Sequence, residues 1–287
     1  CKPLYGRLAS ACGMPDRVVL LQYGFLGSNY CVVRECFFNG IFGNAVCFTP
    51  STEERDGEWR VCKGGRVENC TAMNSYEGCF NSMGGTQYTT YNGITCINSY
   101  NGIEVGAETA HISNCFIDEC LNGIALGGNA TVTNLSMYNS GATFGESSIA
   151  MITNSRFITN RYLHPYAGAN VSFDNCYFAR SEKPWDSAYQ YLLFFNGSSA
   201  KTIKLKLSNC EFYIREGYTI DGVKEKGLTP IYLNYGESPI FVANKITSED
   251  TSAECAIIMY NTTNAFINTM LTNKLIVGEY STYVTKE

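Results

Sequence analysis

The chain has little charge and few of the side chains that usually carry metal or nucleic-acid chemistry. Of its 287 residues only 16% are Asp, Glu, Lys or Arg, and the formal net charge is -5. A nucleic-acid groove needs clustered Lys and Arg side chains, so we expect no nucleic-acid partner. No apolar run approaches the roughly 20 residues that cross a bilayer, and we expect no contact with a membrane.

The spacings typical of metal sites are also missing. There is no Cys-x-x-Cys pair and no His-rich stretch, and the two histidines, His111 and His164, stand far apart. We therefore expect no metal and no cofactor. The chain opens on Cys1, with neither a Met nor the pattern of a signal peptide, so the expectation is a mature form or a segment of a longer chain.

The chain does contain a sequence motif that recurs about every 20 residues. "HISNCFI" at 111–117 is followed by "TVTNLSM" at 131–137, with an asparagine at the same place in each copy. A fixed period of this length predicts stacked coils. The anchor asparagines are Asn69, Asn114, Asn134, Asn154, Asn175 and Asn209, and Glu35 and Thr95 take the anchor place in two degenerate copies.

Each anchor separates two short runs in which every second residue is apolar, a spacing that predicts strands with one face inward. Asparagine tolerates a left-handed backbone, so the anchor is predicted to turn a corner and to bond the equivalent Asn one repeat away. "NGI" at Asn39, Asn101 and Asn122 is predicted to open a third strand. In the second of these strands the inward residues would be Ile103 and Val105.

The cysteines follow the same repeat. Six of the fourteen are assigned to one inward site: Cys36, Cys70, Cys96, Cys115, Cys176 and Cys210. Side chains stacked one coil apart point in parallel, which is a poor approach for a disulfide. We therefore expect reduced structural thiols and assembly in a reducing cytoplasm.

This pattern resembles the right-handed parallel β-helix of the pectin-lyase-like superfamily, over residues 18–277. The resemblance implies an all-β chain of three-strand coils, about 20 residues each, with Asn, Cys and aliphatic ladders. Lyases, hydrolases, isomerases, adhesins and phage tailspikes share this fold. The Asn-Thr-Asp, Gly-Asp-Asp, Gly-His-Gly and Arg-Ile-Lys motifs of polygalacturonases and the clustered Asp ligands of pectate lyases are missing, so we do not expect pectin chemistry.

The anchor spacing also predicts how the chain is divided. Two steps, from Glu35 to Asn69 and from Asn175 to Asn209, are 34 residues long instead of 20 or 21. We expect a leading segment at 1–17, the β-helix at 18–277 and a C-terminal tail at 278–287. Insertions are expected near 49–61, 83–92 and 180–200, and an irregular part at 213–250.

Both tryptophans, Trp59 and Trp185, fall within predicted insertions, and Tyr189 and Tyr191 follow the second of them. An aromatic ring on a loop, with polar neighbours, is typical of sugar recognition. The alternative is that each tryptophan folds its loop back onto the coils. These four residues are the predicted substrate-binding residues.

Hydrolysis of a glycosidic bond would need two carboxyl groups facing each other across a groove. Glu104 is expected to point outward, because Ile103 and Val105 take the inward sites. Asp118 and Glu119 end a strand just before a tight turn. These three acids are the predicted catalytic residues, and the alternative is that they are solvated side chains on the outside of the coils.

Aromatic-bearing insertions, low charge and reduced cysteines are similar to those of β-helical bacteriophage tailspikes and tail fibres. That resemblance implies a virion (tail) or extracellular protein that binds a bacterial surface polysaccharide, with or without degrading it as a glycoside hydrolase or lyase. It also implies a homotrimer, or neighbouring domains of a longer chain. Two alternatives stay open: a secreted bacterial polysaccharide hydrolase or lyase, and a non-catalytic structural or adhesin β-helix.

Overall fold

The structure is a computed structural model that describes residues 25–26, 30–49, 54–55, 58–59, 62–181, 191–214, 219–220, 223–224, 229–248, 256–271, 275–278 and 280–285. None of these residues is helical. Accordingly, this part of the chain contains no helix that could span a membrane. The predicted segment 1–17 lies outside the described residues.

The described elements are all strands, and most are short. They are β1 (Phe25–Leu26), β2 (Val32–Arg34), β3 (Phe37–Asn39), β4 (Asn44–Thr49), β5 (Glu54–Arg55), β6 (Glu58–Trp59), β7 (Gly65–Glu68), β8 (Thr71–Met73), β9 (Gly78–Ser82), β10 (Tyr88–Asn92), β11 (Thr95–Ile97), β12 (Asn101–Val105), β13 (Thr109–Asp118), β14 (Asn122–Leu126), β15 (Asn129–Tyr138), β16 (Gly141–Phe144), β17 (Ile149–Thr153), β18 (Arg156–Thr159), β19 (Leu163–Pro165), β20 (Asn170–Asp174), β21 (Tyr177–Arg180), β22 (Tyr191–Asn196), β23 (Lys204–Ser208), β24 (Glu211–Ile214), β25 (Thr219–Ile220), β26 (Val223–Lys224), β27 (Thr229–Asn234), β28 (Ile240–Ser248), β29 (Ile257–Tyr260), β30 (Ala265–Leu271), β31 (Leu275–Val277) and β32 (Tyr283–Thr285).

The chain forms two compact units, residues 1–131 and 132–287. In the first unit the parallel strands form three ladders. One ladder contains β2, β7, β10 and β13, another contains β3, β8 and β11 with the end of β13, and the last contains β1, β4, β9, β12 and β14. We call these the first, second and third ladders. Each coil adds one strand to each ladder, which is the architecture of a parallel β-helix.

The second unit repeats this arrangement by itself. Its first ladder contains β17, β20, β23 and β28, its second contains β18, β21 and β24 with the end of β28, and its third contains β19, β22, β27, β29 and β31. All these pairs are parallel. The all-β parallel β-helix predicted from the repeat is therefore confirmed.

The anchor residues turn left-handed corners between the first and second ladders. All six anchor asparagines have φ between 50° and 54°, and Glu35 has φ 54°. In the coil assigned to Thr95 the prediction was wrong, because the corner there is Gly93 with φ 65°. Cys96 consequently pairs with Ile117 and Ala72 and does not occupy the site that follows the corner. Glycine adopts positive φ as readily as asparagine, which explains why this copy lost its Asn.

The amides at the corners bond in more than one way. Asn175 Nδ2 donates to Asn154 Oδ1 at 2.8 Å, as predicted for equivalent asparagines. Asn209 Nδ2 instead donates to Asp174 Oδ1 at 2.9 Å, and an ionised carboxylate is a stronger acceptor than an amide. Hydrogen bonds from Ser208 and then Asn209 lower the pKa of Asp174.

The third strands begin as predicted at Asn101 and Asn122. The earlier "NGI" does not open a strand: Asn39 ends β3 and Gly40 turns the chain with φ 69°. Its place is taken by Asn44 at the start of β4, which pairs with Gly78, which in turn pairs with Asn101.

Inward side chains form continuous rows that hold the coils together. In the first unit Val67, Tyr91 and Ile112 lie in register and are buried. In the second unit the Phe178 ring stacks between Phe157 and Phe212, with ring centroids 5.2 and 4.6 Å apart. Burying one such side chain stabilises the fold by about 1.5–3 kcal/mol.

The described cysteines are all free thiols, as predicted. Four of them follow anchor asparagines, are buried, and donate from Sγ to the carbonyl oxygen two residues earlier: Cys70, Cys115, Cys176 and Cys210. Burial raises the pKa of Cys115 to about 11. The Cys115 thiol therefore stays protonated in the folded protein near neutral pH and acts as a small core side chain.

The predicted boundaries and insertions stay predictions. β10 lies within the stretch 83–92, and β27 and β28 lie within 213–250. The stretches 49–61 and 180–200 are only partly described.

Candidate functional site

A groove of about 580 Å³ opens at the third ladder of the first unit. A volume of this size falls within the range of small-molecule sites. The groove is lined by side chains from β4, β9, β12 and the turns beside them: Asn44, Tyr76, Glu77, Asn81, Met83, Tyr100, Asn101 and Glu104. The lining thus combines two carboxylates, three amides and two phenol rings.

Glu104 lies on β12 between the buried residues Ile103 and Val105, and this alternation turns its side chain toward the groove. Its Oε2 accepts hydrogen bonds from Asn101 Nδ2 at 2.9 Å and from Asn81 Nδ2 at 3.2 Å. Two amide donors on one oxygen fix the orientation of the carboxylate and leave its Oε1 for another partner.

The second carboxylate is Glu77, which immediately precedes β9. Its Oε2 accepts a hydrogen bond from Asn44 Nδ2 at 3.3 Å, and its side chain is exposed. Sequence reasoning missed Glu77, because it lies outside the alternating strand positions. The register that brings Glu77 to the groove is visible in the structure, where the next residue, Gly78, pairs with Asn101.

Gly78 leaves room for the side chain of Asn44, which lies against it beside the groove. A Cβ atom at this position would lie 2.8 Å from Asn44 Oδ1 and 3.3 Å from Asn101 Cβ. Asn44 and Asn101, the amides that hold Glu77 and Glu104, are separated by two strand spacings, or about 10 Å. The two carboxylates are therefore held by amides on opposite sides of Gly78.

The aromatic side of the groove is open to solvent. Tyr76 is 70% exposed and Tyr100 is 53% exposed. The Phe42 ring stacks on Tyr76 with centroids 5.1 Å apart and an interplanar angle of 2°. Phe42 thus supports one face of the Tyr76 ring and leaves the other face free, which is the surface that the C–H groups of a sugar ring require.

The charges of the two carboxylates both act on the buried thiol of Cys47. Cys47 is buried in the same row as Asn81 and Glu104. Burial raises the pKa of Cys47 to about 12, and the negative charges of Glu104 and Glu77 both add to the increase. Because one thiol responds to both charges, the two acids share one electrostatic environment.

The other predicted catalytic acids lie elsewhere. Asp118 ends the second-ladder portion of β13, where it pairs with Ile97. Glu119 is exposed and stands at a left-handed corner with φ 54°. Neither residue lines the groove, so the structure brings Glu104 together with Glu77 and does not bring it together with Asp118 or Glu119.

Two of the predicted substrate-binding residues, Trp185 and Tyr189, lie outside the described residues. Trp59 lies in β6, whose backbone pairs antiparallel with β5. Within the described residues, no group of three or more His, Cys, Asp and Glu side chains could hold a metal ion.

Tyr191 belongs to an aromatic stack on the third ladder of the second unit. Its ring lies 5.4 Å from Phe194 and 5.0 Å from Tyr232, and Phe194 also stacks on His164 at 5.6 Å. Burial lowers the pKa of His164. The rings mainly cover one another's faces, so this stack contributes to the cohesion of the coils more than it offers a surface to a ligand.

The fold and the groove define a parallel β-helix with a carboxylate- and tyrosine-lined cleft. No family model matches the chain, and no curated protein matches it. Among solved structures it is similar to DFA-IIIase from Arthrobacter chlorophenolicus A6 in complex with GF2, with a TM-score of 0.47 and 13% identity. The match covers 86% of this chain and 66% of that chain. A similarity of this size identifies neither a substrate nor a reaction.

Proposed function

We propose that this protein binds a bacterial surface polysaccharide through the groove between Glu77 and Glu104, in the manner of a β-helical phage tailspike. The observation that carries the proposal is the open face of Tyr76 beside two carboxylates held by amides. Sugars present C–H faces and hydroxyl rims together, and this groove offers an aromatic face for the first and acceptors for the second.

The groove also fits a chain-like ligand. The parallel strands beside it stack equivalent positions coil upon coil, and Asn44 and Asn101 repeat the same amide two coils apart, on either side of Gly78. Tyr76 and Tyr100 repeat the same phenol in two successive turns. A polymer of similar sugar residues can use such repeated contacts, and this supports a polysaccharide over a single small metabolite.

Placement in a virion is part of the same proposal. It is supported by the resemblance of the repeat to tailspikes and by the reduced state of every described cysteine, since disulfides persist mainly in oxidising compartments. The homotrimer that the resemblance implies is proposed on the same ground. Light scattering of the purified full chain distinguishes a trimer from the monomer that a secreted enzyme would favour.

The binding proposal is tested by measuring affinity for a panel of bacterial capsules and lipopolysaccharides. Tyr76→Ala is expected to weaken binding about fivefold, because a lost ring stack is worth on the order of 1 kcal/mol. The matched control is Tyr88→Ala, which removes an exposed phenol from the first ladder of the same unit. Absence of binding to the whole panel, or equal losses in the two variants, would contradict the proposal.

A second candidate function, glycoside hydrolysis, is favoured by the presence of two carboxyl groups in one groove. One would protonate the leaving oxygen while the other takes a proton from the attacking water, and inverting enzymes separate the two groups by about 6.5–9.5 Å. Glu77→Gln and Glu104→Gln should each reduce reducing-end release at least about 100-fold. Glu108→Gln, an exposed acid of the same unit that does not line the groove, is the control. Binding without any reducing-end release would assign the chain to the non-catalytic class.

A further inference from the structure

The charges of the groove restrict the glycan that it can hold. Its lining carries two carboxylates and, among the described residues, no Lys, Arg or His side chain. The hydrogen-bond donors that reach these carboxylates are neutral amides: Asn44 for Glu77, and Asn81 and Asn101 for Glu104. Amides orient the charges without cancelling them, so the groove is a region of negative potential.

The described cations nearest in sequence are engaged elsewhere. Arg34 and Arg66 approach Glu68, at 3.9 and 3.6 Å, at the outer side of the first ladder. Neither of these two arginines therefore supplies the groove with compensating positive charge.

Opposite charge is what proteins use to hold acidic sugars, usually through Arg or Lys beside the carboxylate, sulfate or phosphate. Here a ligand carboxylate would lie close to Glu77 or Glu104 in a partly dehydrated cleft. Repulsion between like charges at such a separation costs on the order of tenfold in affinity per pair. Uncharged hydroxyls meet no such penalty and can donate to Glu104 Oε1 and to Glu77.

We propose that the glycan segment bound in this groove is neutral, free of uronate, sulfate and phosphate groups at the residues that contact Glu77 and Glu104. This inference rests on the proposed function and names the substrate class of the same site. It excludes the acidic capsules as ligands of this groove and retains neutral glucans, galactans, mannans and fructans.

The test compares each neutral polysaccharide of the panel of capsules and lipopolysaccharides with the same polysaccharide oxidised at C6 to carboxylates. Affinities are measured by isothermal titration calorimetry at low ionic strength. The wild-type protein is expected to bind at least one neutral form and to bind its oxidised partner at least about tenfold more weakly. The double variant Glu77→Gln/Glu104→Gln should reduce that difference to about twofold. Glu108→Gln, which removes one negative charge outside the groove, should leave the difference unchanged.

Three results would count against the inference, and they separate it from the proposed function. If the wild-type protein binds the oxidised form as tightly as the neutral form, or if the double variant keeps the full preference, neutral selectivity of the groove is wrong while glycan binding stands. If neither form of any polysaccharide binds, the proposed function itself fails and the inference fails with it. Raising the salt concentration should narrow the wild-type preference, because screening weakens charge repulsion.

Discussion

The corner at Asn175 offers the sharpest test of how the repeat specifies the fold. Its φ of 51° lies in the left-handed region, and its side chain donates to Asn154 Oδ1 at 2.8 Å while its backbone N–H donates to Ser208 O at 3.0 Å. Replacement by Ala or Gly keeps the backbone hydrogen bond and removes the side-chain one. The two variants therefore differ mainly in how easily they adopt positive φ.

The expected magnitudes follow from these two terms. A left-handed backbone costs an alanine about 1–2 kcal/mol, and the lost amide hydrogen bond, being exposed, adds about 0.5 kcal/mol. Asn175→Ala should therefore lower the free energy of unfolding by about 1.5–2.5 kcal/mol. Asn175→Gly escapes the left-handed penalty and should be the more stable variant by about 1 kcal/mol.

The assay is urea unfolding followed by far-ultraviolet circular dichroism, with the midpoint compared at constant slope. Lys206, an exposed residue within β23, is the matched control. At this ordinary strand position the order should reverse, with Gly less stable than Ala by about 0.5–1 kcal/mol. The reasoning would be refuted if Asn175→Ala proved as stable as Asn175→Gly, since the corner would then not depend on its left-handed backbone.

Three further predictions concern the core, the thiols and the groove. Phe178→Ala should lower the free energy of unfolding by about 3–5 kcal/mol, because it opens a cavity in a continuous ring stack. The control, Phe37→Ala at an exposed position, should change it by less than about 0.5 kcal/mol. Equal losses of stability in the two variants, measured by urea unfolding, would contradict the role of the stack. Burial raises the pKa of Cys115 to about 11, so the folded state holds this thiol proton more tightly than the unfolded state. The contribution of Cys115 to stability should therefore be constant below about pH 8.5 and fall as the pH rises toward 11. Unfolding midpoints measured from pH 7 to 10.5 should decline less at alkaline pH in Cys115→Ala than in the wild-type protein. Gly78→Ala places a methyl group against Asn44, whose amide holds Glu77, and should reduce glycan affinity at least about fivefold with an unchanged circular dichroism spectrum. Full affinity in this variant would show that the ligand does not depend on the position of Asn44.

The candidate site could be predicted from the sequence only in part. The alternation of Ile103, Glu104 and Val105 is a local property, so the outward direction of Glu104 could be read from the sequence. Its partner could not, because Glu77 belongs to a different coil and precedes its strand. Outward side chains are free of the packing constraint that makes inward positions periodic, and so they leave no repeat by which to find them.

The errors at two corners have the same physical origin. Asn and Gly both adopt a left-handed backbone, so Gly93 can take the place that Asn has in the other coils. The corner of this coil therefore lies two residues before the apparent anchor at Thr95. At Asn39 an Asn-Gly pair turned the chain where a strand was expected to begin. A turn motif indicates positive φ but does not say which of the three corners of a coil it serves.

By itself the sequence determined the parallel β-helix, the left-handed corners and the buried thiols. The first two depend on constraints that recur from coil to coil, one inward row and one backbone conformation, and the thiols depend on a small buriable side chain that recurs in several coils. Only the tertiary structure decided where the groove lies. Its acids are fixed by the stacking of three strands, which sets Gly78 between Asn44 and Asn101 and brings Glu77 to the same cleft as Glu104. That register depends on the lengths of the intervening turns, and those lengths vary from coil to coil.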